Sequence, residues 1–258
     1  MSEKNRDGKR TARERLVVER EKQKTAEKRR RALIVGASVV CVLGLAAVIG
    51  VVAANAGKDK KSSKAGPVVA PSGAQGRDSL AIPVGKDGAP STLTVWEDFR
   101  CPACRAFEAA YRPTLHELAD SGKLRIDYHL VRLIDGNLGG SGSLRAANAA
   151  ACAQDAGKFR DYHDVLYANQ PEETDDAFGD DAKLIALAGK VNGLDTPAFR
   201  KCVKDGTHNS WVDKSHKAFQ AGGYGGTPTV LFGGRNIYQD RTMTPAKLKQ
   251  MVEEAGKG

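Results

Sequence analysis

The sequence lacks the signatures of nucleotide and metal sites. Neither a GxGxxG nor a GxxxxGK[ST] loop occurs in its 258 residues, so the glycine-rich loops that hold phosphates are absent. A structural zinc site needs about four ligands at suitable spacing. The chain has one CxxC pair among its five cysteines, and its five histidines form no HxxxH pair. We therefore expect neither a cofactor nor a metal ion.

The part of the chain that we expect to fold carries no excess of positive charge. The whole chain has a net charge of +9, to which residues 1–31 contribute +7, residues 55–78 contribute +3 and residues 79–258 contribute −1. A nucleic-acid-binding domain carries its basic surface on the folded part. We therefore expect no nucleic acid among the partners.

Charged residues are also missing from one long apolar run, residues 32–54. At about 1.5 Å per residue a helix of this length spans about 34 Å, enough for a hydrocarbon core of about 30 Å. The basic residues 1–31 predict a cytoplasmic tail and place the rest of the chain outside the cell membrane. We predict a single-pass anchor in the lipid bilayer. Cleavage after Ala56 is the alternative, although the run is longer than that of a signal peptide.

The remaining sequence predicts a linker and one folded domain. Residues 55–78 are rich in Gly, Ser, Lys and Pro, which predicts a flexible linker. Residues 79–258 show a strand, a helix that Pro113 should kink or divide, a second strand, a helical block over about 141–221, a two-stranded hairpin and a final helix. This order is a βαβ unit and a ββα unit with a helical insert, which is an α/β fold.

The CxxC pair lies where a predicted strand meets a predicted helix. The strand begins at Ser91 and ends near Phe99, and Pro102 fits the first position of the helix. The free N–H groups and the dipole at a helix N-terminus stabilise an anion. We therefore expect Cys101 to be an exposed nucleophile with a lowered pKa and Cys104 to be a covered, resolving thiol. A structural disulfide or half of a metal site are the alternatives.

The segments DFRCPACRAFE and GGTPTVLFGG resemble the DsbA-like branch of the thioredoxin fold. The chain is similar over residues 79–258 to membrane-anchored, exported thiol-disulfide oxidoreductases. The resemblance implies that Cys101 and Cys104 form disulfides in unfolded or reduced exported proteins, and that a DsbB-like or VKOR-like membrane partner re-oxidises them. A reductase or isomerase would use the same residues. An anchored interaction or holdase domain with an inert disulfide is the rival from another class.

The resemblance also assigns supporting roles around the cysteine pair. It implies that the Thr227–Pro228 bond is cis and faces the cysteines, and that the Thr227 backbone pairs with an extended substrate. A proline that merely begins a strand is the alternative. Pro102 and Ala103 separate the cysteines. Related proteins often have histidine in place of Ala103, which offers no hydrogen bond or charge, so we expect a milder oxidant.

A proton acceptor for Cys104 is expected on the preceding strand. Thioredoxin-like proteins often have a buried acid at about the position of Val95, and Glu97 or Asp98 could replace it. Strand alternation puts these two side chains on opposite faces, so we expect at most one of them to serve. The alternative is that both are solvated or form ion pairs.

Two further cysteines, Cys152 and Cys202, lie in the predicted helical insert. In an oxidising compartment two such cysteines are more often paired than free. Some anchored relatives look similar here and have a structural disulfide in the insert. We expect a structural disulfide, and two buried apolar thiols are the alternative.

Overall fold

A computed structural model describes residues 67–257. The predicted cytoplasmic tail (1–31) and transmembrane helix (32–54) lie outside these residues. Between residues 67 and 257, no helix is long and apolar enough to cross a membrane. The strands are β1 (Ile82–Val84), β2 (Ser91–Glu97), β3 (Leu124–Leu130), β4 (Thr229–Phe232) and β5 (Arg235–Asn236). The helices are α1 (Pro102–Asp120), α2 (Leu133–Leu138), α3 (Gly142–Asp155), α4 (Phe159–Ala168), α5 (Asp181–Ala188), α6 (Pro197–Asp205), α7 (Asn209–Ala221) and α8 (Pro245–Ala255).

The strands form one sheet in the order β1-β3-β2-β4-β5. β2 and β3 are parallel neighbours joined by α1, and the other strand pairs are antiparallel. Leu93 and Val95 of β2 and Ile126 and Leu130 of β3 lie on one face of the sheet and are fully buried, whereas the polar residues between them on β3 are half-buried. The units β2-α1-β3 and β4-β5-α8, with helices between them, confirm the predicted thioredoxin fold with a helical insert.

Two helices begin at the threonine–proline pairs of the sequence, α6 at Thr196 and α8 at Thr244. The Thr196 hydroxyl accepts a hydrogen bond from the Phe199 N–H at 3.2 Å, and Thr244 does the same for Lys247 at 3.1 Å. Each threonine precedes a proline at the first helical position, where no intrahelical N–H bond is lost. α1 runs undivided through Pro113, although the proline removes one hydrogen bond. Packing of its buried face against the sheet and α4 holds the helix together.

A disulfide joins Cys152 on α3 to Cys202 on α6. Its sulfurs connect positions 50 residues apart in sequence. Asn148, one turn before Cys152, donates to the Val203 carbonyl at 3.3 Å and accepts from the His208 N–H at 2.8 Å. The bridge and these hydrogen bonds hold the helices of the insert to one another.

The predicted linker at 55–78 extends too far along the chain, because its C-terminal part contacts the folded domain. The Ser72 N–H donates to Asp155 at 2.7 Å, and the Ser72 carbonyl accepts from Gln154 at 2.9 Å. His208 Nδ1 lies 2.8 Å from the Val69 carbonyl. This segment is held by its backbone rather than by large apolar side chains, so its composition resembles that of a linker.

Candidate active site

The CxxC pair lies at the N-terminus of α1. Cys101 is the N-cap residue and Cys104 lies in the first turn. Their sulfurs form no disulfide, and both residues are buried, Cys104 completely and Cys101 with 6% of its surface exposed. The prediction that Cys101 is exposed was therefore wrong, because only a small part of its surface reaches solvent. The loop before β4 covers it, and the Cys101 thiol donates to the Thr227 carbonyl at 3.2 Å.

The environment of Cys101 favours its thiolate. A hydrogen bond from the Cys104 thiol is the largest effect on its pKa, and burial opposes it. Hydrogen bonds from the Thr227 side chain and from the N–H groups of Cys104 and Ala103 act in the same direction as the Cys104 thiol. Together they lower the pKa of Cys101 from 9.0 to about 6. The sulfur is therefore largely ionised at neutral pH.

Cys104 has the opposite environment. Burial is the main reason that its pKa lies well above 9.0, and its hydrogen bond to Cys101 has the same effect. The negative charges of Cys101 and Glu97 raise the pKa further. The two cysteines therefore hold one thiolate and one thiol, with the charge on Cys101.

The Thr227–Pro228 peptide bond is cis and lies beside the cysteine pair. Thr229, the next residue, pairs with Trp96 near the end of β2, which brings the loop to the strand that leads into Cys101. The Thr229 hydroxyl donates to the Gly226 carbonyl at 2.7 Å and closes the loop on itself. The sequence-predicted residues Cys101, Cys104, Thr227 and Pro228 thus meet at one site.

The two acids before Cys101 point in different directions, as strand alternation predicts. Glu97 is 1% exposed and lies 2.7 Å from His163 Nε2, so it forms a buried ion pair on the Cys104 side. Asp98 is fully buried and accepts the N–H groups of Arg100 at 2.8 Å and Ile134 at 2.9 Å. Burial raises the pKa of Asp98 to about 7. Neither carboxyl group is solvated.

Sequence reasoning missed Arg100, which immediately precedes the nucleophile. Its guanidinium is 2% exposed and donates to Asp135 at 2.8 Å and to the carbonyl groups of Gly139 at 2.9 Å and Glu173 at 3.1 Å. Asp135 also accepts the N–H groups at the start of α3. Arg100 therefore fixes the loop that carries Cys101 to the helical insert.

Gln170 was also missed and acts on the same loop. Its side-chain amide donates to the carbonyl groups of Phe99 at 2.8 Å and Cys101 at 3.0 Å. The Phe99 carbonyl belongs to the turn between β2 and α1, and the Cys101 carbonyl also accepts the Arg105 N–H at 3.2 Å in the first turn of α1. A glutamine in a loop has no sequence pattern that would indicate this role.

Two groups of described side chains have donor atoms within 4.8 Å of one another: Glu97, Glu108 and His163, and Cys152, Cys202 and His208. The sulfurs of the second group are bonded to each other, which leaves them no free thiolate for a metal ion. In the first group the charge-assisted hydrogen bond between Glu97 and His163 accounts for their closeness. No local pattern in the sequence indicates this buried cluster.

Comparison with known proteins agrees with the geometry. Residues 79–254 match the family described as Thioredoxin. The probable disulfide bond formation protein D of Bacillus cereus is 30% identical over 154 residues, which cover 58% of this chain and 69% of that protein. Oxidised DsbA of Mycobacterium tuberculosis has a TM-score of 0.59 and 30% identity, covering 69% of this chain and 93% of that one. The reduced disulfide bond oxidoreductase DsbG of the same organism has a TM-score of 0.60 and 30% identity, covering 70% and 89%.

The site and these relatives agree on the chemistry. A strand-to-helix CxxC with one stabilised thiolate, facing a cis-proline loop, is suited to exchange of disulfides with another protein. The relatives are named for the same reaction. The chain therefore belongs to the thioredoxin family and is a DsbA-like protein thiol-disulfide oxidoreductase.

Proposed function

We propose that this protein is an oxidase that forms disulfides in exported proteins, held at the outer face of the cell membrane by residues 32–54. The observation that carries the proposal is the unequal pair of cysteines, in which Cys101 has a pKa of about 6 and Cys104 is buried with a raised pKa. The apolar run at 32–54 and its basic flank support the location.

The stability of the Cys101 thiolate supports the oxidising direction. Lowering its pKa from 9.0 to about 6 corresponds to roughly 4 kcal/mol, at about 1.36 kcal/mol per unit. A helix dipole supplies about 0.3–2 kcal/mol, so the hydrogen bond from Cys104 provides much of the remainder. A stabilised thiolate stabilises the reduced enzyme, which makes its disulfide a better oxidant.

The reaction begins with a Cys101–Cys104 disulfide. A substrate thiolate attacks Cys101 Sγ, the disulfide bond breaks, and its electron pair leaves on Cys104 Sγ. A second thiolate of the substrate then attacks the substrate sulfur of this mixed disulfide and releases Cys101 as a thiolate. The substrate has lost two electrons and the enzyme is a dithiol, which a DsbB-like or VKOR-like membrane partner re-oxidises.

The loop before β4 is the proposed docking edge for an extended substrate segment. The Thr227 carbonyl oxygen lies 3.2 Å from Cys101 Sγ, so a substrate segment paired with the Thr227 backbone would bring its cysteine to the Cys101 sulfur. The cis bond to Pro228 turns this carbonyl toward Cys101. Recognition through backbone groups does not depend on the side chains of the substrate.

The Cys101→Ser variant tests catalysis. We expect it to lose oxidation of a reduced, unfolded substrate, because the attacked sulfur is gone. The matched Cys104→Ser variant, mixed with a protein that already contains a disulfide, should instead accumulate a covalent complex through Cys101, because the Cys101 thiolate attacks that disulfide and no Cys104 thiol is present to release it; a non-reducing gel detects the complex. Oxidation by Cys101→Ser at the parental rate would favour the holdase alternative.

The direction of exchange is tested separately by equilibrating the protein with glutathione buffers. An oxidase should have a redox potential near that of DsbA-type oxidants, about −120 mV, or somewhat lower because Ala103 adds no donor. A potential near about −270 mV, as in thioredoxin, would favour a reductase with the same residues.

A further inference from the structure

The C-terminal end of α4 donates hydrogen bonds to the turn that carries Cys101. The Tyr167 hydroxyl donates to the Asp98 carbonyl at 3.3 Å. The Gln170 side-chain amide donates to the carbonyl groups of Phe99 at 2.8 Å and Cys101 at 3.0 Å. Tyr167 is 1% exposed and Gln170 is 7% exposed, so water does not compete for these bonds. Three of the four carbonyl groups from Asp98 to Cys101 are therefore held by side chains of the helical insert.

The orientation of the Gln170 amide follows from its two partners. A carbonyl oxygen can only accept a hydrogen bond, so the atom that faces both carbonyls must be the amide nitrogen with its two hydrogens. The other atom, Gln170 Oε1, is buried and has no hydrogen-bond partner among residues 67–257. An apolar side chain of the same size would not leave such an oxygen unpaired, but it could not donate to either carbonyl. Glutamine therefore serves this position through its two N–H groups.

The Gln170 bonds fix the backbone on both sides of the residue that precedes the nucleophile. The Phe99 carbonyl lies in the turn between β2 and α1, outside both elements. The Cys101 carbonyl accepts the Arg105 N–H at 3.2 Å, which is the first hydrogen bond of α1. The Gln170 amide adds a second donor to the same carbonyl, and this donor comes from another element. The backbone of Cys101 is therefore held by the insert as well as by its own helix.

The position of the Cys101 sulfur depends on the backbone of the same residue. Cys101 is the N-cap of α1 and is extended, with a φ of −74° and a ψ of 117°. A side chain at an N-cap in this conformation faces the N–H groups of the second and third helical residues, here Ala103 and Cys104. The same N–H groups help to lower the pKa of Cys101. A turn that left this conformation would carry the sulfur away from them.

We propose that Gln170, assisted by Tyr167, is a positioning residue of the exchange reaction. Gln170 holds the carbonyls of Phe99 and Cys101, so Cys101 stays in the N-cap conformation and its sulfur stays beside the donors that stabilise it as a thiolate. Both side chains act through the backbone of the turn rather than on the sulfurs themselves. The proposal rests on the proposed role of Cys101 as the nucleophile, but it does not depend on the direction in which exchange runs.

The test is the pH midpoint of Cys101 alkylation in the reduced, full-length chain, measured together with the equilibrium constant of the cysteine pair against glutathione. Gln170→Met keeps the size of the side chain and removes both N–H groups. We expect the midpoint to rise from near pH 6 by about one unit, the effect of losing one hydrogen bond to a charged group. At pH 7 this shift should make the disulfide about fivefold less oxidising, because less of the reduced form is stabilised as a thiolate.

Three further variants test the same contacts independently. A carboxyl group in Gln170→Glu can donate at most one hydrogen bond, and none when it is ionised, so the midpoint should rise again. Tyr167→Phe keeps the ring and loses only the bond to the Asp98 carbonyl, so we expect a smaller rise, even if neither Gln170 variant folds. Gln154→Met is the matched control, because the Gln154 amide donates to the Ser72 carbonyl at 2.9 Å at the C-terminal end of α3. This variant should leave the midpoint near pH 6.

A folded Gln170→Met variant with the parental midpoint and equilibrium constant would overturn the proposal, because the amide would then only stabilise the fold. An equal shift in Gln154→Met would also overturn it, since the effect would not be specific to the turn. If neither Gln170 variant folds, an unchanged midpoint in Tyr167→Phe has the same consequence. The Cys101→Ser variant distinguishes these results from a failure of the proposed function, because it removes the nucleophile and leaves the donors to the turn in place.

Discussion

At the scale of single residues, the chemistry depends on how two identical side chains are made different. Cys101 and Cys104 are separated by one helical turn, yet the pKa of the first is lowered and that of the second is raised. One hydrogen bond causes part of both shifts, because it stabilises the thiolate that accepts it and the thiol that donates it. The difference is therefore a property of the pair.

This coupling predicts the alkylation behaviour of Cys101. In the reduced protein, iodoacetamide should modify Cys101 with a midpoint near pH 6, while Cys104 stays unmodified. Cys104→Ala removes the largest cause of the low pKa and should move the midpoint upward toward 9.0. Peptide mass mapping across a pH series measures both. A Cys104→Ala midpoint that stays near 6 would mean that the helix N-terminus alone holds the thiolate.

At the scale of elements, the insert and the sheet are joined at the active site. Arg100 and Gln170 link the turn between β2 and α1 to the helices that follow β3. The Cys152–Cys202 disulfide lies inside the insert and links α3 to α6. The Cys152–Cys202 disulfide is thus separate from the redox cysteines in both position and function.

The Cys152→Ala/Cys202→Ala double variant should be less stable but chemically unchanged. The chain-entropy model gives about 4 kcal/mol for a loop of this length, and loss of a native disulfide typically costs about 2–5 kcal/mol. Urea unfolding of the variant and the parent measures the difference in free energy of unfolding. The alkylation midpoint of Cys101 serves as the control and should stay near pH 6. A shift of that midpoint would show that the bridge also shapes the redox site.

The elements with a periodic pattern could be predicted from sequence, and the short ones could not. The buried side chains of β3 alternate with half-buried ones, and α6 and α8 begin at threonine caps followed by proline. β1 has three residues, one of them Pro83, and is too short to show alternation. α2 has six residues, including Gly136 and Asn137, which are poor helix formers. Their positions are set by pairing with β3 and by the hydrogen bond from the Ile134 N–H to Asp98.

At the active site, too, only residues that form a local sequence pattern could be predicted. Cys101 and Cys104 could be identified because a CxxC at a strand–helix junction is a local pattern. The contacts of Arg100 with Asp135, Gln170 with Phe99, and His163 with Glu97 join residues 35 to 71 positions apart.

At the scale of the whole molecule, buried acids make stability depend on pH. The ordinary pKa of Glu108 is 4.5, and burial raises it to about 8 in the folded protein. Asp98 shifts in the same direction, from 3.8 to about 7, also because of burial. The folded state therefore keeps protons that the unfolded chain releases. Their contribution to stability is complete below pH 4 and is lost as pH rises to about 8.

We therefore expect the free energy of unfolding of the oxidised protein to fall between about pH 5 and pH 8. Oxidised protein is used because the Cys101 thiolate stabilises the reduced form in the opposite sense as pH rises. Glu108→Gln does not titrate and should flatten the curve, by an amount on the order of several kcal/mol across this window. Urea unfolding at half-unit pH intervals measures it. A variant curve as steep as the parent's would contradict the assignment of the slope to Glu108.

The buried guanidinium of Arg100 limits how much of the helical insert could be deleted to make a smaller enzyme. Its partners Asp135, Gly139, Glu173 and Asp176 all come after β3. A shortened version that joined β3 directly to β4 would lose every one of these partners, and with them the hydrogen bonds that fix the turn before the nucleophile. Miniaturising or grafting the redox motif would therefore require another way to hold this turn.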